Sequence, residues 1–250
     1  MRIEGAVVLV TGASGGIGAA VVGHLASRGA IVLAAGRDPA ATDRVAAAAR
    51  AAPLVADLAD PDGPAELAAK AVAVHGRVDG LVAGAGVGWR GGLAEMPADR
   101  IDRLLTVNLR APIMLTRALL PGMLVRGQGS ITLIASIAGL TGVAGESVYA
   151  ATKAGLIVFA ESLRLETAGC GVGVAVVSPG AVATDFFARR GVAYHRRYPR
   201  PVSPDRVAAA VVGTLDRDRA EVVVPRWLAV APRVRALAPR AYRSLARRFG

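Results

Sequence analysis

The chain has 250 residues, 53% of them hydrophobic, and a formal net charge of +11, so there is apolar material for one sizeable core. A single cysteine, Cys170, excludes an intramolecular disulfide and a cysteine metal cluster, and the three histidines, His24, His75 and His195, are scattered with no H-x-x-x-H pair, so no metal site is expected. The longest apolar stretches are interrupted by Gly or Arg short of the ~20 residues that span a bilayer.

The apolar run Ala6 to Val10 reads as a buried strand starting so near Met1 that no signal peptide is expected, which points to the cytoplasm. Thr11-Gly12-Ala13-Ser14-Gly15-Gly16-Ile17-Gly18 follows, then the helical pattern Ile17, Val21, Val22, Leu25. In a strand, glycine turn, helix unit the backbone can approach a pyrophosphate closely, and the free N–H groups of the helix start favour the anion. The spacing is T-G-x-x-x-G-x-G, and a plain structural turn is the competing reading.

Ile31 to Ala35 reads as the second strand, and Gly36-Arg37 follows where an adenosine ribose would lie. An acidic side chain there accepts a ribose 2′-hydroxyl, whereas an arginine accommodates a 2′-phosphate. Gly36-Arg37 therefore points to NADP(H), and Asp38 keeps NAD(H) open. Further strands are expected near 53–56, 79–84, 130–135, 172–177 and 221–224, alternating with helices that begin near 17, 41, 64, 99, 146 and 204. The pattern predicts an α/β fold: a single-domain, Rossmann-like, doubly wound parallel sheet with helices on both faces.

Tyr149 and Lys153 lie four apart on the helix from 146, on one face with their Cβ atoms roughly 6 Å apart. A free phenol titrates near about 10, and a neighbouring cation brings it toward the working range of a general acid or base. Ser136 follows the apolar run Ile131 to Ala135, at a strand's C-terminal end, where open parallel sheets place ligands. A lone Y-x-x-x-K is commonly a helix surface, but composition singles out this lysine. Of thirty basic residues only Lys70 and Lys153 are not arginine, and an ammonium, unlike a guanidinium, has a pKa that moves.

With the glycine turn, Asp57, Asn108 in Val107-Asn108-Leu109, Ser136, Tyr149-x-x-x-Lys153 and Pro179-Gly180 followed by Thr184, residues 5 to about 225 resemble the short-chain dehydrogenase/reductase family. The resemblance implies that Tyr149 is the proton donor or acceptor, that Lys153 lowers its pKa and holds the nicotinamide ribose, and that Ser136 bonds the substrate oxygen. It implies that Asn108 holds a water linking Lys153 to solvent; a helix-interior amide bonding to backbone is the alternative. Cofactor contacts are implied at Gly12, Ser14, Gly15, Gly16, Ile17, Gly18, Arg37, Asp57, Leu58, Gly84, Ala85, Gly86, Asn108, Tyr149, Lys153, Pro179, Gly180, Val182 and Thr184.

Two departures carry expectations. The family's N-N-A-G after the fourth strand is here Ala83-Gly84-Ala85-Gly86, so a looser cofactor loop is expected. No D-G-G turn follows Val222-Val223-Val224-Pro225, so a homodimer through the helices from 99 and 146 is favoured over a tetramer.

Residues 1–188 hold fifteen basic and fifteen acidic side chains, and residues 189–250 hold fifteen and four. The excess falls on Arg189-Arg190 to Arg200, a stretch with Tyr194, His195 and Tyr198, and on a basic tail, 226–250, packed on or extending from the same domain as the dinucleotide-binding and catalytic part, 1–225. Pro232 and Pro239 are expected to break the tail into short turns. The tail reads as a packed surface helix or as a peripheral contact with anionic lipid, and is expected to be dispensable for the chemical step. No recognition motif accompanies the charge, which argues against nucleic acid. Ala138, Leu140, Val143, Phe186, Phe187 and Trp89 are expected to wall an apolar site for a small carbonyl or alcohol substrate. The other class of reading is a cofactor-sensing regulator or scaffold with little turnover.

Overall fold

The computed structural model describes residues 1–192, 194, 199–216 and 219–249. Seven strands form one wholly parallel sheet: β1 (Val7–Thr11), β2 (Ile31–Gly36), β3 (Ala52–Val55), β4 (Gly80–Ala83), β5 (Gly129–Ile134), β6 (Val172–Pro179) and β7 (Glu221–Val224). Their order is β3-β2-β1-β4-β5-β6-β7. The helices between them are α1 (Gly16–Ala26), α2 (Pro39–Ala49), α3 (Gly63–His75), α4 (Ala98–Leu105), α5 (Ala111–Arg126), α6 (Ile137–Thr141), α7 (Ser147–Glu166), α8 (Phe186–Arg189) and α9 (Pro204–Asp216).

The strands read as unbroken apolar runs because both of their faces are covered. Val7 and Leu9 enter the layer that holds Leu67, Leu115 and Leu156 of α3, α5 and α7. Val8 and Val10 point the other way, to Val21, Leu25 and Val211 of α1 and α9. The strand order turns at β1, which pairs β2 on one side and β4 on the other, so a crevice opens beyond their C-terminal ends. At the opposite end, buried Asp79 accepts the Val7 amide at 3.0 Å and pairs with Arg77, which fixes how β1 enters beside β4.

Every strand and helix start expected from the sequence is present within about two residues. The helix expected from 99 is interrupted: a π-helical turn, Thr106–Arg110, separates α4 from α5 and carries Asn108. Helix α6 has no strong periodic signal and depends on its cap, the Ser136 Oγ accepting the Ala138 amide at 3.2 Å.

The tail departs further from expectation. A 3₁₀ turn, Arg226–Ala229, leads into α10 (Val230–Leu237) and α11 (Pro239–Phe249). Neither proline shortens these helices to turns. Pro232 is the third residue of α10 and Pro239 the first of α11, positions whose N–H has no intrahelical partner to lose. The tail packs back on the sheet's C-terminal edge: Arg235 donates to the Leu140 carbonyl at 2.6 Å and the Tyr242 hydroxyl to the Thr141 carbonyl at 3.1 Å. Among the described residues no helix is long and apolar enough to cross a membrane. His195 and Tyr198 lie outside the described residues.

Candidate active site

A cavity of about 1310 Å³ runs along the C-terminal ends of the strands. It is lined by the glycine turn from Gly12 to Gly18, by Arg37, Asp57 and Leu58, by Gly84 to Gly86, by Ser136, Tyr149 and Lys153, and by Pro179, Gly180, Val182 and Thr184. Of the residues expected to act in catalysis or to contact the cofactor, Asn108 alone does not line it.

The loops after β1 and β4 touch backbone to backbone. Gly12 has φ +70°, and a Cβ there would stand 2.8 Å from the Ala85 backbone, so only glycine serves. Buried Thr11 ties the two together: its Oγ1 accepts the amides of Gly84 at 3.1 Å and Ala85 at 3.2 Å. Asn108 adds a second tie, its Oδ1 accepting the Val87 amide at 2.8 Å and its Nδ2 donating to the Val87 carbonyl at 2.9 Å. The Ala83–Gly86 loop, which lacks the family's asparagines, is thus tied at Gly84 and Ala85 by Thr11, and the residue just past it, Val87, by Asn108. Asn108 makes the backbone-bonded arrangement, with both ends of its amide engaged by Val87.

At the end of β2, a Cβ on Gly36 would stand 2.2 Å from Thr42 Oγ1 and 3.0 Å from Ser14 Oγ. No side chain fits at that position, and the exposed Arg37 is the next to reach the cavity edge. The Asp38 carboxylate is occupied as the N-cap of α2, accepting the Ala41 amide at 3.0 Å.

Ser136, Tyr149 and Lys153 meet where α6 and α7 cross the end of β5. Lys153, buried, donates from Nζ to the Ile134 carbonyl at 2.9 Å and stands 5.8 Å from the centre of the Tyr149 ring. A Cβ on Gly86 would lie 3.7 Å from that Nζ, so the glycine keeps the space above the ammonium clear. The protein's own groups hold the phenol high, not low: burial pushes Tyr149 up to about 12, against which a hydrogen bond with Ser136 pulls down; Glu146 raises it and Arg190 lowers it. The groups that pull this phenol down in the free chain are Ser136 and Arg190. Burial also brings Lys153 down to about 8, which weakens it as a fixed charge.

Sequence reasoning missed several groups here. Glu146 and Arg190 form a buried ion pair beside Tyr149, with the Arg190 guanidinium 4.6 Å from the centre of the Phe187 ring. Arg190 is only 7% exposed, although as one of two adjacent arginines it reads as a solvated charge. Tyr149, Phe186, Phe187 and Tyr194 make a row of ring contacts at 5.0–5.9 Å that walls one side. Trp89, Ala138 and Val143 line the cavity as expected, and Leu140 does not. The tail supplies lining of its own, Leu228, Ala231, Tyr242, Arg243 and Ala246, so part of its apolar surface is turned to the cavity; Trp227, Val230 and Leu237 remain exposed.

Comparison with known proteins agrees with this geometry. A family model described as short chain dehydrogenase matches residues 6–193. The ketoacyl reductase HetN of Nostoc sp. is 35% identical over 89% of this chain and 79% of its own length. The 3-oxoacyl-[acyl-carrier-protein] reductase FabG of Escherichia coli is 36% identical over 74% of this chain and 77% of its own. A short-chain dehydrogenase from Sphingobium yanoikuyae, solved in complex with NADPH, superposes with a TM-score of 0.83 at 30% identity, covering 94% of this chain and 95% of that one.

The buried lysine has a measurable consequence. With a pKa of about 8 in the folded chain against 10.5 unfolded, Lys153 has lost between those values a proton that the unfolded chain still binds. Stability should therefore rise with pH across that window, and below it the buried charge costs on the order of 3 kcal/mol. In urea unfolding, wild type should gain up to roughly that amount over Lys153→Met between pH 7.5 and 10.5. A difference that stays flat with pH would mean that burial leaves this ammonium unperturbed.

Proposed function

The chain belongs to the short-chain dehydrogenase family, and from that membership we propose that it is an NADP(H)-dependent oxidoreductase acting on a carbonyl or secondary alcohol of a hydrophobic substrate. The observation that carries the reading is the meeting of Ser136, Tyr149 and Lys153 on one wall of a cavity whose other end is the glycine turn. The activities in the names of two relatives, a ketoacyl reductase and a 3-oxoacyl reductase, support a carbonyl as the reacting group.

The residues present fit a nicotinamide dinucleotide. Gly86 leaves clear the space beside Lys153 that a side chain would fill, Gly12 lets the turn after β1 pack on the loop after β4, and the donors Arg37, Lys153 and Thr184 line the same cavity as the first turn of α1. When bound, the nicotinamide supplies or accepts the hydride. The chain's own residues move the proton. With a pKa near 12 the Tyr149 phenol is protonated at neutral pH, set to donate to a carbonyl oxygen as that oxygen gains charge. Ser136, bonded to the same phenol, donates to that oxygen and holds it in reach. Lys153 adds positive charge below the phenol, and Asn108 acts at one remove as a positioning residue through Val87. The ring row from Tyr149 to Tyr194 and the tail keep water from the apolar part of the substrate.

Tyr149→Phe should lower turnover of a ketone by about 10²–10⁴-fold, the contribution of a positioned acid, with cofactor affinity nearly unchanged. Steady-state rates and a cofactor titration on the same preparation check this, and a variant with wild-type turnover would refute the assignment.

Arg37 is the group that favours NADPH. A charge-assisted contact with the 2′-phosphate is worth about 1.5–3 kcal/mol, or roughly 10- to 150-fold in affinity. Arg37→Ala should lose that much for NADPH and little for NADH. If the ratio of the two dissociation constants is the same in both proteins, Arg37 does not read the phosphate.

The assembly proposed is a homodimer through α5 and α7, whose Val125, Val158 and Leu165 are 89%, 65% and 72% exposed. Sedimentation at micromolar concentration should give twice the chain mass, and Val158→Glu should shift it toward monomer. A wild-type monomer under those conditions would exclude this interface.

A further inference from the structure

Arg189 and Arg190 are neighbours in sequence that serve opposite sides of the cavity. Arg190 turns inward and is fixed by Glu146. Arg189 is exposed, and both terminal nitrogens of its guanidinium lie 3.5 Å from where a Cβ on Gly15 would stand. Gly15 is the N-cap of α1, with no side-chain cap, and the first turn of that helix has no acidic residue. The same loop crosses the turn one residue further on, where the Thr184 methyl lies 2.7 Å from the Cβ position of Gly16.

Two positive features therefore meet at one point. The helix start carries about half a positive charge, and the guanidinium adds a whole one. Among the described residues Arg189 has no carboxylate partner. Such a pairing is repulsive unless an anion lies between the two, and the planar N–H fork of arginine matches phosphate oxygens two at a time. We propose that Arg189 closes over the cofactor's diphosphate from the loop after β6, with the Arg190–Glu146 pair holding the loop in register. The assignment rests on the dinucleotide reading of the cavity and adds to it a contact from the substrate side.

The role separates cleanly from that of Arg37. NADPH and NADH both carry a diphosphate, whereas 2′-AMP carries the 2′-phosphate alone. Arg189→Ala should weaken both dinucleotides about tenfold or more in fluorescence titrations, leave 2′-AMP within about twofold by calorimetry, and keep the thermal midpoint of the free protein. Arg189→Lys, which keeps charge but loses the fork, should fall between wild type and Arg189→Ala. Arg37→Ala should give the reverse pattern, losing 2′-AMP and NADPH and sparing NADH. Unchanged dinucleotide affinity in Arg189→Ala, or an equal loss of 2′-AMP, overturns the diphosphate role while the functional reading stands. Failure of wild type to bind either dinucleotide would bring down the functional reading and this inference with it.

Discussion

The bond from the Lys153 ammonium to the Ile134 carbonyl is the constraint on which the candidate site depends. It ties Lys153, one helical turn after Tyr149 on α7, to Ile134, the last residue of β5, so α7 cannot rotate about its axis without burying an unpaired charge. With α7 fixed, Tyr149 one turn back must face the cavity, and Ser136, two residues past Ile134, must lie beside it. A Cβ on Gly139 would meet the Lys153 backbone at 2.6 Å, so α6 seats directly on the same turn. Chemistry and packing thus share one anchor, and the ammonium's depressed pKa is the measure of what that anchor costs.

The fold was legible because its signals are local and repeated. Continuous apolar runs bounded by glycine and separated by helical patterns leave few alternatives to a covered parallel sheet, and the right strand ends follow from that. Tyr149 and Lys153 were legible for a different reason, a spacing that fixes a shared face plus an unusual lysine in an arginine-rich chain. Thr11 stood in view within the glycine motif, yet its role was hidden because the amides it holds are more than seventy residues away. Asn108 was flagged, but only the π-helical turn shows which way its amide goes.

The Glu146–Arg190 pair was the least legible feature. Adjacent arginines in a basic stretch have a solvated surface as their default, and nothing local distinguishes the one that turns inward. Burying it demands a carboxylate forty-four residues earlier, at the entry to α7, and both charges need the cavity wall to exclude water. Breaking such a pair strands a charge in a dry place, so the loop after β6 is held more firmly than its composition suggests. The same pair bears on the phenol with opposite signs, Glu146 raising its pKa and Arg190 lowering it.

The tail shows how composition alone misleads about a segment's place. Its arginines suggest a surface looking outward, but Leu228 packs 2.4 Å from where a Cβ on Gly180 would stand, and Arg235 and Tyr242 donate to carbonyls at the end of α6. Those carbonyls belong to the last turn of a five-residue helix, which has no partners of its own to give them. The tail therefore completes the hydrogen bonding of α6, and α6 in turn is capped by Ser136. A segment that holds no member of the Ser136, Tyr149 and Lys153 set is in this way connected to it through one short helix, so the tail belongs to the site's supporting structure as well as to its wall.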